Sequence, residues 1–149
     1  MVVELAVCIP IIMAVLGISI NLMVFLGDCA RFDRLAAEEV RIRATSQDHW
    51  HYGLGYSCDM IELDLREGAF AGDDYLRPTV EGYAVAPDGS LDSWREGVAF
   101  VFIPHQEVYV CTLEYRPWGF GTTFFGIEFS GITHTRTFTV DPFRPGVLL

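Results

Sequence analysis

Between Leu5 and Gly27 the chain runs LAVCIPIIMAVLGISINLMVFLG, 23 residues without a charge. A helix of that length rises roughly 34 Å, enough to cross the hydrocarbon of a bilayer. Its polar exceptions, Ser19 and Asn21, are tolerated in membrane helices, above all where helices face one another. A cleavable secretory signal needs a basic start, an apolar stretch of roughly 7–15 residues and a small-residue cleavage site. Here Glu4 precedes the run, no Lys or Arg occurs before Arg31, and the run closes on Asp28-Cys29-Ala30. Residues 1–27 therefore read as a transmembrane segment, with a removed signal peptide and a buried core helix as the alternatives.

The charge is distributed unevenly around that segment. The whole chain carries 20 acids against 10 bases, a formal net charge of −10. Residues 28–45 hold Asp28, Asp33, Glu38 and Glu39 against Arg31, Arg34, Arg41 and Arg43 and sum to zero. The acidity is concentrated beyond them. So acidic a surface has no means of neutralising a run of phosphates, which excludes nucleic acid as a partner. It equally excludes a polybasic lipid-binding surface.

Residues 28–46 continue the helix as an amphipathic stretch. They contain neither Pro nor Gly, and Leu22, Phe25, Cys29, Phe32, Ala36 and Val40 recur at three- and four-residue steps. One helix from about residue 3 to 45 follows, with a kink at Gly27-Asp28 as the alternative. Residues 47–149 form an acidic, β-rich head. In it, 47–56 read as a connector and Ser57–Arg66 as a half-buried strand, from the alternation of Ile61, Leu63 and Leu65. Residues 67–77 read as an irregular loop or one helical turn. Thr79–Ala86, Gly97–Ile103, Glu107–Arg116, Thr122–Ser130 and Ile132–Val140 are further strand candidates, rich in Val, Phe, Tyr and Thr. No crossover helix intervenes, so the sheet is expected to be antiparallel. One of its faces needs a cover, which the helix around Phe32, Ala36 and Val40 supplies. The fold class is α+β: a long spine helix with a sheet laid on its second half.

Residues able to do chemistry are sparse. His49-x-His51 supplies two imidazoles without a third ligand at motif spacing, and reads as a surface pair rather than a zinc site. Gly119-x-Gly121 lacks the helix and lysine of a phosphate loop. Asp73-Asp74 reads as a solvated loop, and Trp118, Phe120, Phe124 and Phe125 as core packing. His105 and Cys111 have no sequence relation that marks a base and a nucleophile. The sequence thus offers no catalytic residues, no metal ligands and no cofactor site, and the expectation is a protein that is not an enzyme.

The opening Val3-Glu4-Leu5-Ala6-Val7-Cys8-Ile9-Pro10 resembles the start of TadE-like proteins, the minor pilins or pseudopilins of Tad (Flp) type IVb pilus systems. Their pattern is a glutamate, a small or apolar run and a proline six positions later, which Glu4 and Pro10 reproduce. The resemblance covers about the first 30 residues, and it implies a helix packed against those of other pilin subunits in the lipid bilayer. It also implies an extracytoplasmic head and processing by prepilin peptidase. In the family a short basic leader ending in Gly is removed, which leaves the glutamate fifth, whereas Glu4 is fourth from Met1 here. Residues upstream of this start, or a register shifted by one, account for the difference. The arginines after the span would by themselves place the head in the cytoplasm; acids offset them one for one, and the resemblance implies the opposite. Glu4 near a membrane core asks for a partner, which the resemblance supplies as a neighbouring subunit's N-terminal amine. The alternative is a carboxylate solvated by headgroups. Pro10 removes one helix hydrogen bond, and a kink or local break is expected there.

Cysteines bear on the compartment. Cys8 lies in the span, while Cys29, Cys58 and Cys111 lie beyond it. In an oxidising compartment Cys58–Cys111 is the favoured bridge and Cys29–Cys58 the rival; in the cytoplasm all would be free thiols. The expected function is a non-enzymatic, single-pass subunit of a Tad pilus or related secretion system in the cell membrane. A membrane-anchored extracellular binding module of unknown ligand is the alternative.

Overall fold

The computed structural model describes residues 2–85, 91–93, 106–116, 123–124, 127–128 and 131–141, with side chains for 8–85, 106–116 and 131–141. Its first element, α1, runs without interruption from Val2 to Ala44. The expected spine is therefore one helix, and neither Gly27 nor Pro10 breaks it. Over its apolar half the side chains are exposed around the whole circumference, from Ile9 and Ile12 to Leu16 and Ile20. The stretch is long and apolar enough to cross a membrane, and only 6% of its most apolar window is buried, so it is not the core of this chain.

The second half of α1 is the core. Cys29, Phe32, Ala36, Val40 and Ala44 are buried at steps of three and four, one stripe of the helix. Leu22, expected on that stripe, is exposed, and Asn21 takes its place.

The segment after Ser46 corrects the sequence reading. Residues expected as a connector and a strand form α2, Gln47–Leu63, followed by a π-helical turn over Asp64–Ala69. Ser46 caps α2, its hydroxyl accepting from the His49 amide at 3.2 Å. Gly53, at φ 85°, divides α2 into two segments in a conformation that disfavours any side chain. Leu54, Cys58, Ile61 and Leu65 are the buried apolar residues, whereas Leu63 is 42% exposed. The period is helical, not alternating.

Three long strands, β1 (Leu76–Val85), β3 (Glu107–Tyr115) and β6 (Ile132–Val140), and the short β2 (Leu91–Ser93) make one antiparallel sheet in the order β2-β1-β3-β6. Every second residue of β3 from Glu107 to Tyr115 faces inward and is buried, under α1 and α2. Thr79, Thr112 and Thr135 lie in register across the outer face. Pro78 falls within β1, where the sequence reading began the strand one residue later. There β2, which pairs only with Tyr83–Val85, no longer flanks it. Two residues on, the outward-pointing Val80 amide donates to a Glu62 carboxylate oxygen at 3.3 Å. At Pro78 the missing N–H is on that same unpaired side, so the sheet loses nothing.

The expected strand Thr122–Ser130 is instead, where described, a hairpin of β4 (Thr123–Phe124) and β5 (Ile127–Glu128) paired to each other. The expected strand Gly97–Ile103 and the side chains of Trp118, Phe120, Phe124 and Phe125 lie outside the described residues.

Candidate functional site

Among the described residues, two places concentrate the polar chemistry: the junction where the head meets α1, and a buried cluster between α2 and β3. At the junction Asn21 sits inside the apolar run yet is only 9% exposed. Its amide nitrogen donates to the Gly17 carbonyl at 3.0 Å, and its side-chain oxygen accepts from the Tyr115 hydroxyl at 3.0 Å. Tyr115 is fully buried, with Phe25 and Tyr75 rings at 5.3 and 5.7 Å from its own. The end of β3 is thereby fixed to α1 between one and two turns before the apolar run finishes at Gly27. Leu22, Met23 and Leu26, on faces the head leaves uncovered, stay exposed.

About two turns beyond Asn21, Asp28 carries an oxygen that is buried and finds no hydrogen-bond partner among the described residues. Burial, then the Asp73 carboxylate, holds its carboxyl above the usual range, against a smaller opposing pull from Arg31. Arg31 lies over the Phe70 ring, 5.2 Å from its centre. Asp33 reaches the sheet, accepting from His134 at 2.7 Å with Arg136 at 3.6 Å. At the far end Arg43 pairs with Asp64, its Nε at 3.0 Å. Between these ties an open groove of about 710 Å³ separates α1 from the π-helical turn, with Arg31, Arg34, Glu38 and Glu39 among its lining.

The second cluster was not legible as a site. His49, expected on the surface beside His51, is 5% exposed, while His51 stays in solvent. On a helix, residues two apart point to different faces, which is why the pair divides. Nδ1 of His49 meets the Ser57 hydroxyl at 2.9 Å and Nε2 meets a Glu107 oxygen at 3.2 Å. The other Glu107 oxygen accepts from the Tyr109 hydroxyl at 3.0 Å. Serine, histidine and glutamate in series have the composition of a nucleophilic triad. Ser57 and Glu107 are, however, only 2% and 3% exposed, so nothing reaches the hydroxyl without opening the core. What the chain of contacts does is fix the start of α2 to the start of β3, with each buried polar group satisfied by another.

Of the residues expected to matter, Glu4 falls in the first turns of α1, its side chain outside the described residues, and Pro10 lies inside the helix, exposed. Cys58 and Cys111 are brought into one core as free thiols. Cys29 is buried on α1, where its electrostatic neighbours are Asp33 and Asp28. No group of three residues able to hold a metal ion occurs among the described residues. No protein-family model, curated protein or solved structure matches the chain.

Proposed function

We propose that this chain is a membrane-anchored, non-enzymatic subunit of a pilin-type filament, a TadE-like minor pilin or pseudopilin of a Tad (type IVb) pilus or related secretion system. The observation that carries the reading is the division of α1. Its first half exposes apolar side chains all round, and its second half is the buried centre of an α+β head.

The junction sets the depth of the anchor. Sheet backbone cannot enter hydrocarbon unsatisfied, so lipid on the head's side ends at Asn21. The helix between Glu4 and Asn21 is about 25 Å long against a hydrocarbon core of roughly 30 Å, so Glu4 would lie within the hydrocarbon, close to its opposite edge. A carboxylate there is held at a cost of a few kcal/mol unless a cation meets it, and a neighbouring subunit's N-terminal amine is such a cation. Leu22, Met23 and Leu26 extend the apolar surface above that level on faces the head leaves open. Other subunits' helices would pack there, with the acidic head outside the cell.

A second reading, an anchored extracellular binding module, is favoured by the exposed aromatic cluster on α2. Trp50, Tyr52 and Tyr56 stand in solvent there, with the Tyr52 ring 4.7 Å from His51 and 4.8 Å from Tyr56. The two readings separate on processing. The full reading frame is expressed with and without prepilin peptidase, and the product is analysed by intact mass and N-terminal sequencing. Peptidase-dependent loss of a short leader, leaving Glu4 at or near the fifth position, is the expected result. A chain unchanged by the peptidase overturns the pilin assignment and leaves the binding module.

A further inference from the structure

We infer that Cys58 and Cys111 become joined by a disulfide while the head folds, tying α2 to the middle of the sheet. The inference rests on the proposed extracytoplasmic head only for where the oxidant is met. Cys58 lies on the buried face of α2, between Leu54 and Ile61, and its sulfur sits over β1 at Gly82. A Cβ at Gly82 would stand 2.7 Å from that sulfur, so the missing side chain is what admits it. Gly82 pairs with Tyr109 and Val80 with Cys111, so Cys111 is the diagonal neighbour of Gly82 on the same inward face. Diagonal neighbours on one face stand roughly 7–8 Å apart at the backbone, within reach of a side chain directed between them. Both cysteines are buried, at 6% and 0% exposed.

The same burial dictates when the bond forms. It pushes both thiols up to about 12, and after burial Cys111 is the largest influence on Cys58. The attacking species in disulfide exchange is the thiolate, which the closed core all but abolishes at neutral pH. Oxidation therefore belongs to the unfolded or partly folded chain. One cysteine thiolate attacks a sulfur of a small disulfide donor such as oxidised glutathione, releasing one donor thiol. The second thiolate then displaces the other half of the mixed disulfide. Two electrons and the two cysteine protons end on the donor as two thiols, and the chain gains one sulfur–sulfur bond. The loop so closed spans on the order of fifty residues, long enough for a substantial restriction of the unfolded chain.

The test uses the full chain in detergent micelles. Reduced, denatured protein is refolded in a glutathione redox buffer, its native circular dichroism is verified, and remaining thiols are alkylated before peptide mapping. A cross-linked Cys58–Cys111 peptide is expected, with Cys8 and Cys29 alkylated. Added to protein already folded in the reduced state, the same buffer is expected to give no bridge in the same time. A Cys29–Cys58 peptide, or four alkylated cysteines in the refolded sample, overturns the inference. Protein taken directly from the membranes of producing cells separates the two proposals. A bridge in the refolded sample with free thiols in the cellular one sustains the pairing and contradicts the extracytoplasmic head.

Discussion

Gly82 shows how closely the head's core is fitted at a single position. A methyl group there would stand 2.7 Å from the Cys58 sulfur and 2.8 Å from the Leu54 side chain, both on α2. Gly82→Ala therefore has to push α2 off the sheet, at a cost of about 1–3 kcal/mol. A thermal melt is expected to show the loss, and an unchanged midpoint would mean that α2 does not lie on β1 as described. Asp28 gives the opposite kind of prediction. Its carboxyl is raised in the folded head, so above the ordinary carboxylate range the folded state holds a proton more readily than the unfolded one. The sign follows: its ionisation opposes folding, and stability falls as the pH rises from 3.8, its ordinary value, through the raised one. Asp28→Asn is expected to raise the melting temperature at neutral pH and to flatten the pH dependence in that acidic window. Melts at a series of pH values check both, and a lower midpoint for the variant at pH 7 would refute the sign.

At the scale of elements, what was legible in the sequence and what was not divides between β3 and α2. β3 and β6 carry Val, Tyr, Thr and Phe at period two; in β3 every second residue is buried from end to end, while in β6 the alternation in burial is confined to Phe138–Val140 and Ile132 is exposed. α2 carries two competing patterns. Ile61, Leu63 and Leu65 alternate like a strand, while Leu54, Cys58, Ile61 and Leu65 recur at four, three and four. Gly53 and Gly55 also suggest turns, and Gly53 does interrupt the helix. The signal that resolves the conflict is Ser46 as a cap with Asp48 in the first turn, which starts a helix where the sequence reading ended one. The buried cluster became illegible for the same reason: only a helix separates His49 from His51 and brings Ser57 back to it. The two patterns make different predictions for substitutions. Ile61→Ala empties a fully buried site and is expected to cost about 2–5 kcal/mol. Leu63→Ala, on the exposed side, is expected to change stability by about 0.5 kcal/mol or less. Chemical denaturation of the pair decides between them, since a strand would bury both residues and make both changes costly.

For the whole molecule, the central fact is that one uninterrupted helix is apolar and exposed in its first half and buried in the head in its second. On the proposed reading it serves two environments, and the boundary between them is not where hydropathy puts it. The apolar run ends at Gly27, but the head already grips α1 at Asn21 through Tyr115. Hydropathy sees a polar residue within a span; only the sheet, assembled from residues about ninety positions away, turns it into a seat. On the proposed reading, the depth of the anchor is therefore set by tertiary structure. The direct measurement is a scan of single cysteines along α1 in proteoliposomes, with a membrane-impermeant maleimide as the label. A Cys8→Ser background retains the three native cysteines that are already buried. Positions Ile12, Leu16 and Ile20 are expected to resist the label, and Leu22, Met23 and Leu26 to accept it, with the change falling at Asn21. Protection extending unbroken to Gly27 would contradict this boundary, and labelling throughout Ile12–Ile20 would contradict the membrane anchor itself.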